Sequence, residues 1–185
     1  MKKILCTLLV VFAMSSYANA SEYDLFIGAE AGLSSADFTD GTGSYDNEEI
    51  STYGVKIGAI DHNSRIYLSY QYMDAFEGSG TREGAFHALT VNTEGYSEPY
   101  VIFDSMEHFI FIGAHLGGIN LDVDASFGTS NEYGVLYGLQ GGVLTTFGPV
   151  VSLELGYRFS LSSFSDDAIQ LDQLQAFYAG INLRF

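Results

Sequence analysis

Cysteine, tryptophan and basic residues are scarce in this chain. It contains one cysteine, no tryptophan, and seven lysines and arginines against 23 aspartates and glutamates. The cysteine, Cys6, lies in an N-terminal apolar stretch, so disulfide bonds cannot stabilise the rest of the chain. The shortage of basic residues makes nucleic acid a poor partner, because phosphates need a positively charged surface. Beyond the N-terminal stretch, no apolar run is long enough for a membrane-spanning helix.

The first 20 residues have the composition of a secretory signal peptide. Two lysines precede an apolar segment over residues 4–14, and Ala18 and Ala20 form an A-x-A cleavage pattern. We therefore predict cleavage after residue 20 and one mature domain over residues 21–185. The mature region has five basic and 23 acidic residues, a net charge of 5 − 23 = −18. The alternatives are a retained N-terminal helix and a lipoprotein modified at Cys6.

The mature region consists of runs in which apolar and mixed residues alternate. The clearest run closes the chain, where one face carries Phe177, Ala179, Ile181, Leu183 and Phe185. Similar runs lie near residues 23–33, 52–59, 65–72, 107–120, 132–146 and 151–159. A period of two is typical of β-strands with one apolar face. An eighth strand is expected within 85–104, with its membrane part near 95–103, although Pro99 interrupts that segment.

The connections between these runs alternate in length. Short polar turns are expected at 61–64, 104–107 and 147–149, and long polar loops near 35–50, 74–94, 121–131 and 161–172. This alternation favours an all-β fold, an eight-stranded antiparallel up-and-down transmembrane β-barrel of a bacterial outer membrane. Both termini would then lie in the periplasm and the long loops outside the cell. A secreted β-sandwich is the alternative, because its strands alternate in the same way.

Aromatic residues lie near the ends of the expected outward faces. Tyr23 and Phe185 would lie near the periplasmic rim. The opposite rim would carry Tyr53, Tyr70, Tyr72, Tyr157, Phe159 and Phe177. Two aromatic girdles around an aliphatic band are typical of a membrane-spanning barrel, so this placement favours the barrel over the sandwich.

With these features the chain resembles the small outer-membrane barrel proteins of the OmpA, OmpX and opacity-protein type. The resemblance covers about residues 22–185 and rests on the signal peptide, the eight-strand pattern, the segment 155–159 (LGYRF) and the closing 181–185 (INLRF). It implies that the barrel-assembly machinery recognises the outward residues of the last strand.

The resemblance also implies a structural or surface-interaction function in the cell outer membrane. Its implied partners are membrane lipid, lipopolysaccharide and an extracellular protein. A narrow porin-like channel and a lipid A-modifying enzyme are the alternatives.

Five charged residues fall on inward faces: Glu30, Lys56, Arg65, Glu154 and Arg158. A small barrel is filled by side chains, so these charges are expected to pair. Two interpretations stay open at this point. The charges either form an ion-pair network that fills the lumen, or they form a gate whose partners exchange to open a thin ion path.

Histidines and the first acidic segment give weaker signals. No two of the histidines at 62, 87, 108 and 115 have H-x-x-x-H spacing. Only His62 has a serine two residues away, Ser64, and that pair lies in an expected turn rather than along a strand, as a deacylase pair would need. We therefore expect no catalytic residue, no metal site, no cofactor and no enzyme activity. Five acidic residues between positions 37 and 49 form either a solvated surface or a loose calcium site. Divalent ions could bridge them to lipopolysaccharide phosphates.

Overall fold

The computed structural model describes residues 23–40, 43–61, 63–77, 82–103, 106–125, 128–165 and 169–185. The predicted signal peptide, with Ala18 and Ala20, lies outside the described residues. The strands are β1 (Asp24–Asp40), β2 (Gly43–Ile60), β3 (Ser64–Glu77), β4 (Arg82–Tyr96), β5 (Tyr100–Phe103), β6 (Met106–Ala125), β7 (Gly128–Phe147), β8 (Val151–Ser165) and β9 (Ile169–Arg184). No helix in the described ranges is long and apolar enough to cross a membrane.

Eight long strands form a closed antiparallel barrel, which confirms the predicted fold class. Each long strand pairs with its neighbours along the chain, β4 pairs directly with β6, and β9 pairs with β1 to close the barrel. Paired residues followed once round the barrel lead from Ile27 to Asp37, a shift of 37 − 27 = 10 residues. Eight tilted strands enclose a lumen just wide enough for side chains to fill.

The fourth spanning strand lies earlier in the chain than predicted. The prediction of a membrane part near 95–103 is wrong, because β4 ends at Tyr96 and only the four-residue β5 follows it. Both pair with the same edge of β6, on either side of residues 97–99. Pro99 has no backbone N–H to donate to the ladder, which explains the interruption there. Residues 104–105, in the segment predicted as a short turn, lie outside the described residues, between the end of β5 and the start of β6.

The segments expected to be long loops are mostly strand. Only residues 41–42, 78–81, 126–127 and 166–168 separate the strands at this end of the barrel, which we call the far rim. The expected long loops are therefore wrong, because the strands continue through segments whose polar composition resembles that of loops. The opposite end, the terminal rim, holds the start of β1, the end of β9 and the connections 61–63 and 148–150. Gly148 has φ of +67°, a conformation that favours glycine.

The outer wall carries an apolar belt next to the terminal rim. On β1 the belt runs from Leu25 to Leu33, and on β9 it runs from Phe185 to Phe177. Leu33 is 63% exposed and Phe177 70% exposed. Nine residues rising about 3.3 Å each and tilted about 40° span roughly 23 Å, close to the apolar band of outer-membrane barrels.

Three layers of side chains fill the lumen. A near layer beside the terminal rim holds Phe26, Ile60, Tyr67, Phe111, Leu144 and Tyr178. A far layer beneath the far rim holds Ala36, Ile50, Met73, Phe86, Ala88, Ile119, Leu136, Leu171 and Leu174. Between them lies a charged layer.

Candidate functional site

The charged layer brings together all five lumen residues proposed from the sequence. They are Glu30, Lys56, Arg65, Glu154 and Arg158, and each side chain is at most 5% exposed. The carboxylate of Glu154 is shared between two cations: Lys56 Nζ lies 2.9 Å and Arg65 Nη2 lies 2.8 Å from its Oε2 atom. The Arg65 contact is an ion pair outside hydrogen-bond geometry.

Glu94 is a sixth charged member that the sequence analysis missed. Its Oε2 atom accepts a hydrogen bond from Arg65 Nε at 2.5 Å. Its Oε1 atom accepts hydrogen bonds from Tyr67 Oη at 2.7 Å and from Gln140 Nε2 at 2.6 Å. Glu94 escaped notice because the fourth strand was expected to begin after it. The sequence did indicate that a carboxylate was missing, because the predicted lumen contained three cations and only two carboxylates.

Glu30 joins the other side of the layer through both of its oxygens. Oε1 accepts hydrogen bonds from Gln71 Nε2 at 2.6 Å and from Arg158 Nη1 at 3.0 Å. Oε2 lies 3.5 Å from Lys56 Nζ. Arg158 also donates from Nε to Gln140 Oε1 at 2.9 Å, which links the Glu30 and Glu94 sides. Three carboxylates and three cations therefore form one connected network of zero net charge.

Inward glycines let these side chains reach past the strand next to their own. Gln71 on β3 and Glu30 on β1 flank Gly54 on β2, and a Cβ on Gly54 would lie 3.0 Å from Glu30 Cγ. In the same way Glu94 and Gln140 flank Gly113. Because the register places each glycine between two long partners, the network depends on space that only glycine leaves.

Aromatic rings and apolar layers close the charged layer at both ends. The Arg65 guanidinium lies within 6 Å of four ring centroids, those of Phe26, Tyr67, Tyr96 and Phe111. Arg158 lies 4.7 Å from the centroid of the Tyr178 ring. The far layer contains only apolar side chains. An ion crossing this lumen would have to separate paired charges and also pass the far layer.

A histidine–serine pair lies beneath the far layer. His115 Nε2 and Ser160 Oγ are 2.9 Å apart, with Gly138 between them on the intervening strand. A serine beside an imidazole is the pairing that nucleophilic catalysis uses. The sequence analysis sought such a pair along one strand and missed this one across two. His115 and Ser160 are both buried in the lumen, at 4% and 1% exposure, so the site lacks an opening for substrate.

The other predicted residues lie on the outer wall. Phe177, Ala179, Ile181, Leu183 and Phe185 share the outward face of β9 and are exposed. Tyr53 pairs with Tyr72, and Tyr157 pairs with Phe177 with ring centroids 4.8 Å apart. Tyr70 and Phe159 also occupy outward strand positions, and Tyr23 immediately precedes β1. Recognition by the assembly machinery and the girdle function stay predictions.

The far rim is strongly acidic. Residues 34–52, 72–88, 117–137 and 159–176 contain 14 acidic residues and one basic residue, a net charge of 1 − 14 = −13. The topology brings these four segments to the same end of the barrel. Within the described part of the chain, no group of three or more metal-ligating side chains is arranged to hold an ion.

Solved structures provide the comparison, since neither a protein-family model nor a curated protein matches this chain. The chain is similar to Neisserial surface protein A, with a TM-score of 0.68, 15% identity, and coverage of 87% of this chain and 97% of that one. It is also similar to outer membrane protein H from P. aeruginosa, with a TM-score of 0.58, 22% identity, and coverage of 88% and 99%. The chain therefore has the fold of the small eight-stranded outer-membrane β-barrel proteins.

Proposed function

We propose that this chain is an integral outer-membrane protein whose sealed barrel anchors an acidic surface outside the cell. Its function is structural or surface-interacting rather than transport or catalysis. The observation that carries this proposal is the lumen, where a charge-balanced layer lies between two layers of apolar and aromatic side chains.

The apolar belt supports the location. Exposed leucine, isoleucine and valine side chains cover the outer wall over about the height of a bilayer core, and such a surface needs lipid against it. The terminal rim lies in the periplasm in this proposal, because the belt adjoins that rim and the strands extend well past the belt only at the far rim. The far rim then projects outside the cell and carries most of the net negative charge of the mature chain.

Three partners follow from this orientation. Divalent cations would bridge far-rim carboxylates to lipopolysaccharide phosphates, because both groups are anionic. An extracellular protein with a basic surface would complement the same rim. The outward face of β9 would present Phe177 to Phe185 to the barrel-assembly machinery before the barrel closes.

Single-channel conductance of residues 21–185 refolded into planar bilayers tests the proposal. Insertion is first confirmed by the mobility shift on a gel between heated and unheated samples. We expect a folded, silent barrel. The variant Lys56→Gln, which removes one cation from the charged layer, should also be silent. Arg184→Gln is the matched control, because it removes a positive charge at the terminal rim and leaves the layer intact.

A gated narrow pore is the second candidate, because Lys56 lies between two carboxylates, those of Glu30 and Glu154, and could exchange between them. Discrete openings in the wild-type protein that Lys56→Gln changes and Arg184→Gln does not would establish the pore and overturn the sealed anchor. For the enzymatic alternative, unchanged mass spectra of lipid A incubated with the folded barrel are the expected result.

A further inference from the structure

A groove of about 620 Å³ crosses the apolar belt over β7, β8, β9 and β1. Ala31, Gly141 and Ala179 provide small side chains along it. Larger side chains border it, namely Leu33, Tyr157 and Phe177. The register explains the shape, because Ala31 pairs with Ala179, and Gly141 pairs with Tyr157. Elsewhere the belt projects bulky residues, such as Ile112 at 71% exposure.

Uncharged polar side chains lie immediately beyond the groove, toward the far rim. Gln175 precedes Phe177 by two residues, about 7 Å along β9, and its Oε1 atom accepts a hydrogen bond from Tyr157 Oη at 2.6 Å. Gln173 is the next outward residue, and its Nε2 atom donates to the Asp37 carboxylate. The edge of the groove therefore carries amide and hydroxyl groups, with the Asp37 carboxylate beside Gln173.

Among the described side chains, none places a positive charge on this part of the outer wall. Four basic residues have described side chains, and all four occupy inward strand positions: Lys56, Arg65, Arg158 and Arg184. A phosphate headgroup finds no cationic partner among them at the groove. Amides and hydroxyls suit neutral hydrogen-bonding groups instead.

We propose that the groove binds one acyl chain of an outer-leaflet lipid whose chains carry amide and hydroxyl groups near the headgroup, as in lipid A. The apolar lining contacts the methylene groups of the chain. The Gln173 and Gln175 side-chain amides bind the amide and hydroxyl groups that lie near the headgroup. A second copy of the barrel is a poor occupant, because its convex wall cannot enter a concave groove. This proposal rests on the proposed membrane location, since the groove meets lipid only in a spanning barrel.

Native mass spectrometry of the refolded barrel in mild detergent, with lipid A as the probe, tests the groove. The wild-type protein should retain one lipid A molecule. Ala31→Leu and Ala179→Leu fill the groove, and each should weaken retention about tenfold, equivalent to about 1.4 kcal/mol. The matched control is Ala114→Leu, an outward belt position on β6 away from the groove, which should retain lipid A like the wild type.

A second probe tests the polar edge. Diacyl phosphatidylcholine has ester-linked chains without hydroxyl groups, so it should bind the wild-type protein more weakly than lipid A does. Gln175→Leu should reduce that preference. Equal retention of lipid A by the groove-filling variants, equal binding of the two lipids, or a dimer that Ala31→Leu dissociates would each overturn the proposal. Failure of the membrane location would show differently, as loss of the lipid-inserted, gel-shifted form in every variant, including Ala114→Leu.

Discussion

The belt region and the far region of the same barrel are built with opposite polarity. In the belt, the outward residues are apolar and the lumen contains six charged side chains. Beneath the far rim, the described lumen side chains include the apolar far layer, and the outward residues of β1 and β9 are polar, such as Ser35 and Gln175. The far region thus has an apolar core, while the belt has apolar side chains outside and holds charged side chains in its lumen beside the near layer.

On β1 and β9, the outward face changes from apolar to polar within two residues. Outward residues change from Leu33 to Ser35 on β1, and from Phe177 to Gln175 on β9. Inward residues change over the same stretch, from Glu30 to Ala36. The comparison shows that the solvent around the outer wall, lipid or water, determines which side chains the lumen can bury. Against lipid, the polar groups must satisfy one another within the lumen. Against water, apolar side chains are the ones to bury.

Removing one carboxylate from the charged layer should have the largest effect. Glu154→Gln leaves Lys56 and Arg65 sharing the remaining carboxylates, and an uncompensated buried charge is costly. We expect the free energy of unfolding to fall by about 4 kcal/mol, measured by denaturant titration in lipid vesicles. Glu98→Gln, the same change at an exposed site on the terminal rim, is the control. Equal stability of the two variants would show that the layer contributes nothing.

Truncating the far layer should rank second. Phe86→Ala removes a buried ring from a purely apolar core and should cost about 3 kcal/mol in the same titration. Leu89→Ala lies on the same strand but faces lipid at 52% exposure, so it should change stability little. If Leu89→Ala lowered the free energy of unfolding as much as Phe86→Ala, the far layer would not act as a separate core.

A lysine scan along the outward face of β1 should locate the reversal. Ala29→Lys puts a charge near the middle of the belt and should cost about 2 kcal/mol, whereas Ser35→Lys beyond the belt should cost about 0–1 kcal/mol. Vesicle refolding yields and denaturant midpoints measure both. A similar loss at the two positions would contradict a membrane boundary between Leu33 and Ser35.

The smallest effect is expected from divalent cations at the far rim. In vesicles that contain lipopolysaccharide, millimolar Mg²⁺ should raise the melting midpoint by only a few degrees, because exposed charges are well screened. Sodium chloride at the same ionic strength is the control. If the sodium salt reproduced the shift, general screening would account for it and cation bridging would be ruled out.

Much of the barrel was predictable because, in the belt, outward apolar residues alternate regularly with inward residues along each strand. Tyr53, Val55 and Ile57 face out while Lys56 is buried, as the period of two indicates. The prediction failed where polarity reverses, since Ala36 and Ile50 belong to the far layer but are flanked by loop-like polar residues. It failed again at the fourth strand, where the outward face includes Thr93 and the inward face Glu94, so neither face is clearly apolar.

The sequence by itself determined the strand period, the apolar outer face and the presence of charges on inward positions. Those properties are local, because alternation places every second side chain on the same face. Only the tertiary structure decided which charges meet. Lys56 and Glu154 lie 98 residues apart along the chain, and His115 and Ser160 lie 45 apart. Their meeting depends on closure, on a register shift of ten residues and on glycines that leave room between strands, and none of these is a local property.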